Sequence, residues 1–332
     1  VYKRQSKYTD YTIAHTPYKK DVVKQIVDAY TAEGIDVHLY FSIIDWNHKG
    51  YRPAPPETRQ DSIAYEAIKG LWFDGSWDKA WMNEAAWVDT LGLELRKLHP
   101  GLIIGSRFRA DEYGKRHYDS NGDLIDDYDQ TWERDLPNSL EDLNGSDWDC
   151  VMTIPENQWG YHAEWRGYVK TSYDLLEMMV KAVSLNGNFV LNFGPDGKGN
   201  IRSEETKLAK EIGDWMKINK EAIYGTSHST VQKQDWGYFT QKGNKLYMCV
   251  FNRPINNLLK IEIPKGGIIP MKAYFLENNQ ETEIQNAGKN KRNSSLYHVA
   301  VPASYKTDRP FVIVLEMQEN TKEEGEYQQA KI

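Results

Sequence analysis

Asp74 closes the stretch Ile68-Lys69-Gly70-Leu71-Trp72-Phe73-Asp74-Gly75-Ser76-Trp77, a short apolar run that breaks on an acid and a glycine. A run this short, bounded by glycines and rich in large apolar side chains, predicts a buried strand of a parallel sheet, with the acid where the strand leaves the sheet. Ligands bind at that end of the strands in open α/β sheets and barrels. Asp74 is therefore expected at a mouth, with Trp72 two residues earlier on the same side. The plain alternative is an acid that caps the next helix, since Asp-Gly is ordinary turn chemistry. Arg107 follows the run Leu102 to Ser106 in the same way, and Asp45-Trp46-Asn47-His48 follows Val37 to Ile44. Glu133 lies in Trp132-Glu133-Arg134-Asp135, and Trp159 in Pro155-Glu156-Asn157-Gln158-Trp159-Gly160-Tyr161. The 11 Trp and 21 Tyr of the chain supply flat apolar faces with polar tips. Such faces suit sugar rings, apolar on one side and polar at the rim, although many of these residues belong to the core.

The elements that must position these residues follow in order. Apolar Val22, Val23, Ile26, Val27 and Tyr30 recur at helical spacing, predicting a helix from about Pro17-Tyr18 to Ala32, ended by Gly34. The strand VHLYFSII follows, then a loop through Pro53, Pro55 and Pro56 that continues neither element. A helix near Thr58 to Ala67 delivers the chain to the Asp74 strand, and a helix over Asn83 to Leu98 precedes the strand ending at Ser106. This alternation indicates βαβ units and a parallel sheet. From Arg109 to Ser146 polar residues dominate without a clear period, which reads as a long functional loop. Trp148 to Ile154 reads as a strand, Tyr173 to Leu185 as a helix stopped by Asn186-Gly187, Phe189 to Phe193 as a strand, and Ser203 to about Lys220 as a helix opened by Glu204 and Glu205. After Gly225 short alternating runs appear: Trp236 to Thr240, Lys245 to Phe251, Leu258 to Ile263, Met271 to Phe275, Leu296 to Val301 and Phe311 to Met317. Separated by Gly, Asn and Pro turns, they predict an antiparallel β-sandwich.

Composition narrows the class of protein. A chain of 332 residues predicts one large domain plus a smaller one. Cys150 and Cys249 suit neither a disulfide framework nor a metal cage. The net charge of −7 argues against nucleic acid as the main partner, and no stretch approaches a membrane span. The eight histidines show no ligand spacing, so no metal or other cofactor is expected. Gly194-Pro195-Asp196-Gly197-Lys198-Gly199 lacks the Gly-Lys-Ser/Thr ending of a nucleotide-binding loop. The tail from Gln318 is charged and is expected to be disordered.

Five stretches together carry a resemblance. Leu71-Trp72-Phe73-Asp74-Gly75, Trp148-Asp149-Cys150-Val151-Met152-Thr153-Ile154, Asn157-Gln158-Trp159-Gly160-Tyr161, Asn186 through Pro195, and Ile212-Gly213-Asp214-Trp215 through Thr226 resemble the α-L-fucosidases of glycoside hydrolase family 29. The resemblance implies a (β/α)8-like barrel of irregular strand count followed by a C-terminal antiparallel β-sandwich. On this reading residues 1–225 form the barrel domain, 226–318 the sandwich, and 319–332 the charged tail. The implied reaction releases a terminal α-L-fucose from a fucosylated oligosaccharide or glycoconjugate with retention, by double displacement.

The resemblance gives Asp74 the role of nucleophile, which must be ionised, and Arg107 that of the sugar-binding arginine and accompanying cation. Trp72 and Trp77 exclude water on this reading. Glu133 is the first choice for the acid/base, carried to the glycosidic oxygen by a mobile loop, with Glu156, Asp149, Asp129 and Asp135 competing. Trp159 is expected to pack against the sugar, with Trp46 or His48 bordering it. The family carries earlier strands bearing pocket histidines that are not in this chain, which is expected to be the remainder of a longer protein with an incomplete barrel at its N-terminus. The helix before Trp72 is also short for the family. Two other readings stand beside this one: an exo-α-L-galactosidase with the same mechanism, since a hydrophobic pocket rejects an added hydroxyl only modestly, and a catalytically silent carbohydrate-binding protein. A secreted or periplasmic location follows from the substrate class alone.

Overall fold

The structure is a computed structural model that describes residues 15–43, 67–109, 116–119, 121–145, 147–264 and 268–318. Trp46, His48, most of the helix expected near Thr58 to Ala67, and the charged tail 319–332 lie outside the described residues. The chain divides into two compact units: Val1–Trp132 with Leu143–Asp149, and Glu133–Asp142 with Cys150–Ile332.

In the first unit, helix α1 (Val22–Ala32) begins at an Asp21 cap whose carboxylate accepts from the Lys24 N–H, four residues after the expected start at Tyr18. Strands β1 (Val37–Ser42), β2 (Ile68–Asp74) and β3 (Ile103–Ile104) form a sheet in that order. Both pairings are parallel, with Tyr40 beside Trp72 and Ser42 beside Asp74. Alternation then assigns the faces. Leu71 and Phe73 enter a core with Val27 of α1 and with Val88, Leu91 and Leu95 of α3 (Ala85–Leu98). Tyr40, Trp72 and Asp74 are left on the opposite face. The helix expected over Asn83 to Leu98 is α3, and a further short helix, α2 (Lys79–Asn83), precedes it.

The strand expected over Leu102 to Ser106 is shorter. After β3 the chain tightens into a 3-10 turn, Ser106–Phe108. Phe108 fixes that turn: it is fully buried against Phe73, centroids 4.8 Å apart, and its carbonyl accepts from the Trp81 indole at 2.8 Å. Burying a phenylalanine is worth roughly 2–3 kcal/mol, enough to hold one turn of backbone in place. Arg107 is thereby set between two buried neighbours.

The polar segment 109–146 is not all loop. It contains β4 (Asp129–Glu133), and Glu133 is the last residue of that strand rather than part of a loop. The sequence DQTWE hides the strand because its buried residues are polar. Asp129 and Gln130 are almost wholly buried, and each is hydrogen-bonded, to the Thr131 and Ser106 hydroxyls respectively. Strands β4, β5 (Trp148–Thr153) and β6 (Asn188–Asn192) form a sheet in that order.

In the second unit, α4 (Ser172–Ser184) opens on a complete capping box, with the Thr171 hydroxyl and the Asp174 carboxylate each serving the other's backbone. It ends where the sequence suggests: Asn186 adopts φ +66°, and the Asn186 and Gly187 N–H groups donate to the Val183 and Ala182 carbonyls. Helix α5 (Ser203–Asn219) has Arg202 at its cap with no side-chain cap bond. Glu205 pairs with Arg202 at 2.9 Å instead of capping.

Among the described residues eight antiparallel strands follow. One sheet has the order β11-β10-β14-β8-β7 and the other β12-β13-β9, comprising β7 (Gly237–Lys242), β8 (Lys245–Val250), β9 (Leu258–Ile263), β10 (Ile269–Phe275), β11 (Glu281–Thr282), β12 (Ile284–Lys289), β13 (Ser295–Ala300) and β14 (Phe311–Gln318). Leu246, Met248, Ile261, Phe275, Val299 and Ile313 from both sheets share one core. The other face of the larger sheet is also covered, with Tyr247, Cys249, Val312 and Val314 packing on Leu176 and Val180 of α4 and Trp215 of α5. Burial on both faces explains the unbroken apolar run of β14. Strands β11 and β12 carry too few apolar residues to be read from sequence.

Candidate active site

Within the first unit, parallel register brings Tyr40 and Trp72 side by side as stacked rings, centroids 5.6 Å apart and planes inclined by 23°. Asp74 lies one pleat further along the same face. Its Oδ1 accepts from Arg107 Nη1 at 3.0 Å and its Oδ2 from the Tyr40 hydroxyl at 2.7 Å. The pair is neither sealed nor open: the side chains are 13% exposed for Arg107 and 26% for Asp74. The Arg107 guanidinium lies over the Trp72 ring at 5.0 Å and the Trp77 ring at 5.6 Å. Gln130 fixes it from behind, accepting the Arg107 backbone N–H on Oε1 at 3.2 Å and the Arg107 Nε–H on its own carbonyl at 3.1 Å. Trp72 Nε1 donates in turn to Asp149 Oδ2 at 3.0 Å.

Electrostatics follow the geometry. Although Tyr40 is 61% exposed as a whole, partial desolvation of its hydroxyl end and the hydrogen bond to Asp74 raise the phenol above its ordinary value, so it stays a donor to that carboxylate. Burial likewise pushes the Asp149 carboxyl up to about 7, against the pull of the Trp72 indole and the Arg107 cation. Of the residues expected from sequence, Asp74, Trp72, Trp77 and Arg107 are thus one cluster. Tyr40 and Gln130 are additions that only strand register discloses.

Glu133 and Trp159 belong to the second unit, where they meet a residue that drew no attention in the sequence. Arg134 adopts φ +59° immediately after β4, a left-handed turn uncommon for a side-chain-bearing residue. Its N–H still bonds the Val151 carbonyl, while its Nη1 donates to Asn157 Oδ1 at 2.8 Å. Its guanidinium lies 5.7 Å over the Trp159 ring, and Arg134 Nε is 3.6 Å from Glu133 Oε1. The Trp159 carbonyl accepts from Asn192 Nδ2 at 2.7 Å, which ties this loop to the end of β6. Trp159 is half-buried.

The competing acids have partners of their own, Asp149 with the Trp72 indole. Glu156 pairs with the nearly buried Lys170 at 3.1 Å. Asp135 accepts the Leu136 N–H, and Asp129 is buried against Thr131. Among the described residues, no group of three or more His, Cys, Asp or Glu is arranged to hold a metal ion.

A carboxylate paired with arginine between indoles, at the end of a parallel strand and ahead of antiparallel sheets, marks an α/β chain with a candidate site at its strand ends. The chain belongs to the alpha-L-fucosidase family, whose profile matches residues 3–221. It is similar to a crystallised bacterial fucosidase in complex with an iminocyclitol inhibitor, at 42% identity and TM-score 0.83, with 95% of this chain and 75% of that one covered. It is also similar to a GH29 alpha-L-fucosidase from Bacteroides thetaiotaomicron, at 40% identity and TM-score 0.83, covering 94% and 75%. That enzyme was trapped as a covalent intermediate with 2-fluoro-fucosyl fluoride in a glutamate-to-glutamine variant. Tissue alpha-L-fucosidase of Homo sapiens is 25% identical over 266 residues, 74% of this chain and 54% of that protein. The chain spans about half the length of the curated relatives it matches.

Proposed function

We propose that the protein is a retaining exo-glycoside hydrolase that releases terminal α-L-fucose, with Asp74 as nucleophile and Glu133 as acid/base. The observation that carries the reading is the Asp74 carboxylate at the end of β2, held by Arg107 on one oxygen and Tyr40 on the other. Both contacts leave lone pairs on those oxygens, so the group is oriented without being used up. In the first step an Asp74 oxygen bonds to the anomeric carbon as the bond to the leaving oxygen breaks, and Glu133 passes its proton to that oxygen. In the second step water attacks the same carbon, Glu133 takes the water's proton, and the Asp74 ester opens. Arg107 supplies the counter-charge to the carboxylate before attack and after release.

Support for Glu133 comes from its place at the end of β4, next to the Arg134 whose guanidinium lies over Trp159. The glutamate variant used to trap the Bacteroides thetaiotaomicron enzyme agrees with a glutamate in this role. Trp72 and Trp159 are the aromatic faces for the sugar, and Trp46 and His48 remain its proposed border. The proposal includes a (β/α)8-like barrel over residues 1–225, a sandwich over 226–318 and action outside the cytoplasm, where terminal fucose is displayed.

Asp74→Ala should lower kcat on an aryl α-L-fucoside by on the order of 10³-fold or more. Turnover within tenfold of the unaltered protein would remove the nucleophile from Asp74. The ratio of kcat/KM for α-L-fucoside over α-L-galactoside separates the two sugars, and binding of either without turnover would identify a silent lectin-like relative.

A further inference from the structure

We propose that Asp149 is a positioning residue for the nucleophile, a buried carboxyl group that fixes Trp72 beneath the Arg107 guanidinium and so sets where Arg107 holds Asp74. The inference rests on the assignment of Asp74 given above. Asp149 stands at the second residue of β5 and is 4% exposed. Its Oδ2 accepts the Trp72 indole N–H at 3.0 Å, and its Oδ1 is buried with no hydrogen-bond partner. The cation whose charge reaches it is Arg107.

A buried carboxylate with one neutral donor and a bare oxygen is poorly supported as an anion; protonated, it keeps the acceptor that the indole uses and removes the buried charge, at the smaller cost of one O–H without an acceptor. The groups that face it point the same way. From β4 come the Asp129 carboxylate and, one residue earlier, the Tyr128 phenol; from the turn after β3 comes Arg107; from β2 and β1, beyond the indole, come Asp74 and Tyr40. Arg107 is the one cation in this set and is already committed to Asp74 at 3.0 Å. Burial and Asp129 raise the Asp149 carboxyl to about 7, the side of neutrality on which the proton is kept through mildly acid pH.

The consequence is a chain of contacts ending at the reacting atoms. Asp149 orients the indole, the indole face seats the guanidinium at 5.0 Å, and the guanidinium orients Asp74 Oδ1. Loss of the Asp149 proton places a second anion in the field of Arg107, in competition with Asp74.

Two measurements test this in the protein. Carboxyl ¹³C NMR of aspartate-labelled protein is compared with Asp149→Asn: the resonance missing from the variant should titrate near pH 7, and the Trp72 indole N–H shift should follow the same midpoint. A midpoint near 4, or an indole resonance that ignores the titration, overturns the proposal. The second measurement is kcat/KM from pH 5 to 9 on an aryl α-L-fucoside whose leaving phenolate needs no proton. Asp149→Leu should lose at least tenfold at pH 5.5, and Asp149→Asn, which keeps an acceptor for the indole, should recover most of that loss. The alkaline limb should move up by at least one pH unit in Asp149→Asn. Equal activity of the Leu variant and the unaltered protein, or an unmoved limb, overturns it. If the unaltered protein turns over no fucoside, the fucosidase reading fails instead, and the NMR midpoint and indole shift still decide the role of Asp149.

Discussion

Gly105→Ala is expected to damage the site without touching any charged residue. Gly105 caps the turn that carries Arg107, and its φ of −81° suits any residue, so the effect is one of space. A Cβ there would lie 2.0 Å from Gln130 Oε1, 2.2 Å from its Cδ and 2.8 Å from its Cγ. Gln130 is 1% exposed and has little room to retreat. Overpacking of this kind costs roughly 1–3 kcal/mol. Displacing Oε1 also breaks its 3.2 Å bond to the Arg107 N–H, worth about 1 kcal/mol. The sum is about 2–4 kcal/mol, read by urea denaturation, with kcat/KM on an aryl fucoside falling at least tenfold as Arg107 shifts. Gln130→Ala in the same chain removes the obstruction, so the double variant should be more stable than the sum of the singles by at least about 1 kcal/mol. A Gly105→Ala change under about 0.5 kcal/mol, or strict additivity in the double variant, would refute the reasoning.

Three further outcomes are expected. The Asp149 carboxyl, raised to about 7 in the folded protein, keeps its proton to higher pH than in the unfolded chain. Its contribution to stability is therefore full below about pH 4 and is lost as pH rises to about 7, at about 1.4 kcal/mol per unit and about 4 kcal/mol in all. Denaturation of the unaltered protein and Asp149→Asn at pH 4.5 and 7.5 should show the difference moving in favour of Asn by that order, and a constant difference would contradict it. Glu133→Gln should slow hydrolysis of fucosides with poor leaving groups far more than those with good ones, with azide restoring turnover of the latter; absence of rescue would move the acid/base role to another residue. Thr171→Ala removes the hydroxyl half of the α4 capping box and should cost about 1 kcal/mol by thermal or chemical denaturation, against which a neutral result would count.

What the sequence discloses depends on whether the physics is local. Asp74 is legible because an apolar strand breaking on an acid marks a strand end, and Asn186-Gly187 because the left-handed turn that ends α4 has its own residue signature. Strand β4 is hidden because its buried side chains are polar and meet partners distant in sequence, such as the Arg107 backbone N–H that donates to Gln130 Oε1 and the Ser106 hydroxyl that donates to Asp129 Oδ1. Tyr40 is hidden for another reason. Its role exists only once β1 and β2 settle in a register that sets it beside Trp72, and register is a property of pairing rather than of either strand. Arg134 combines both difficulties: its left-handed backbone has no glycine or asparagine to advertise it, and its partners Asn157 and Trp159 come from another loop.

The central claim is that Asp74 forms a bond to the anomeric carbon of fucose. Incubation with 2-deoxy-2-fluoro-α-L-fucosyl fluoride, followed by proteolysis and mass spectrometry, tests it most directly, since the fluorine slows breakdown of the glycosyl ester. The account predicts a single fluorofucosyl adduct on the peptide containing Trp72-Phe73-Asp74, located at the Asp74 side chain. An adduct on a different carboxylate, or continued turnover of the reagent with Asp74 replaced by alanine, would contradict it.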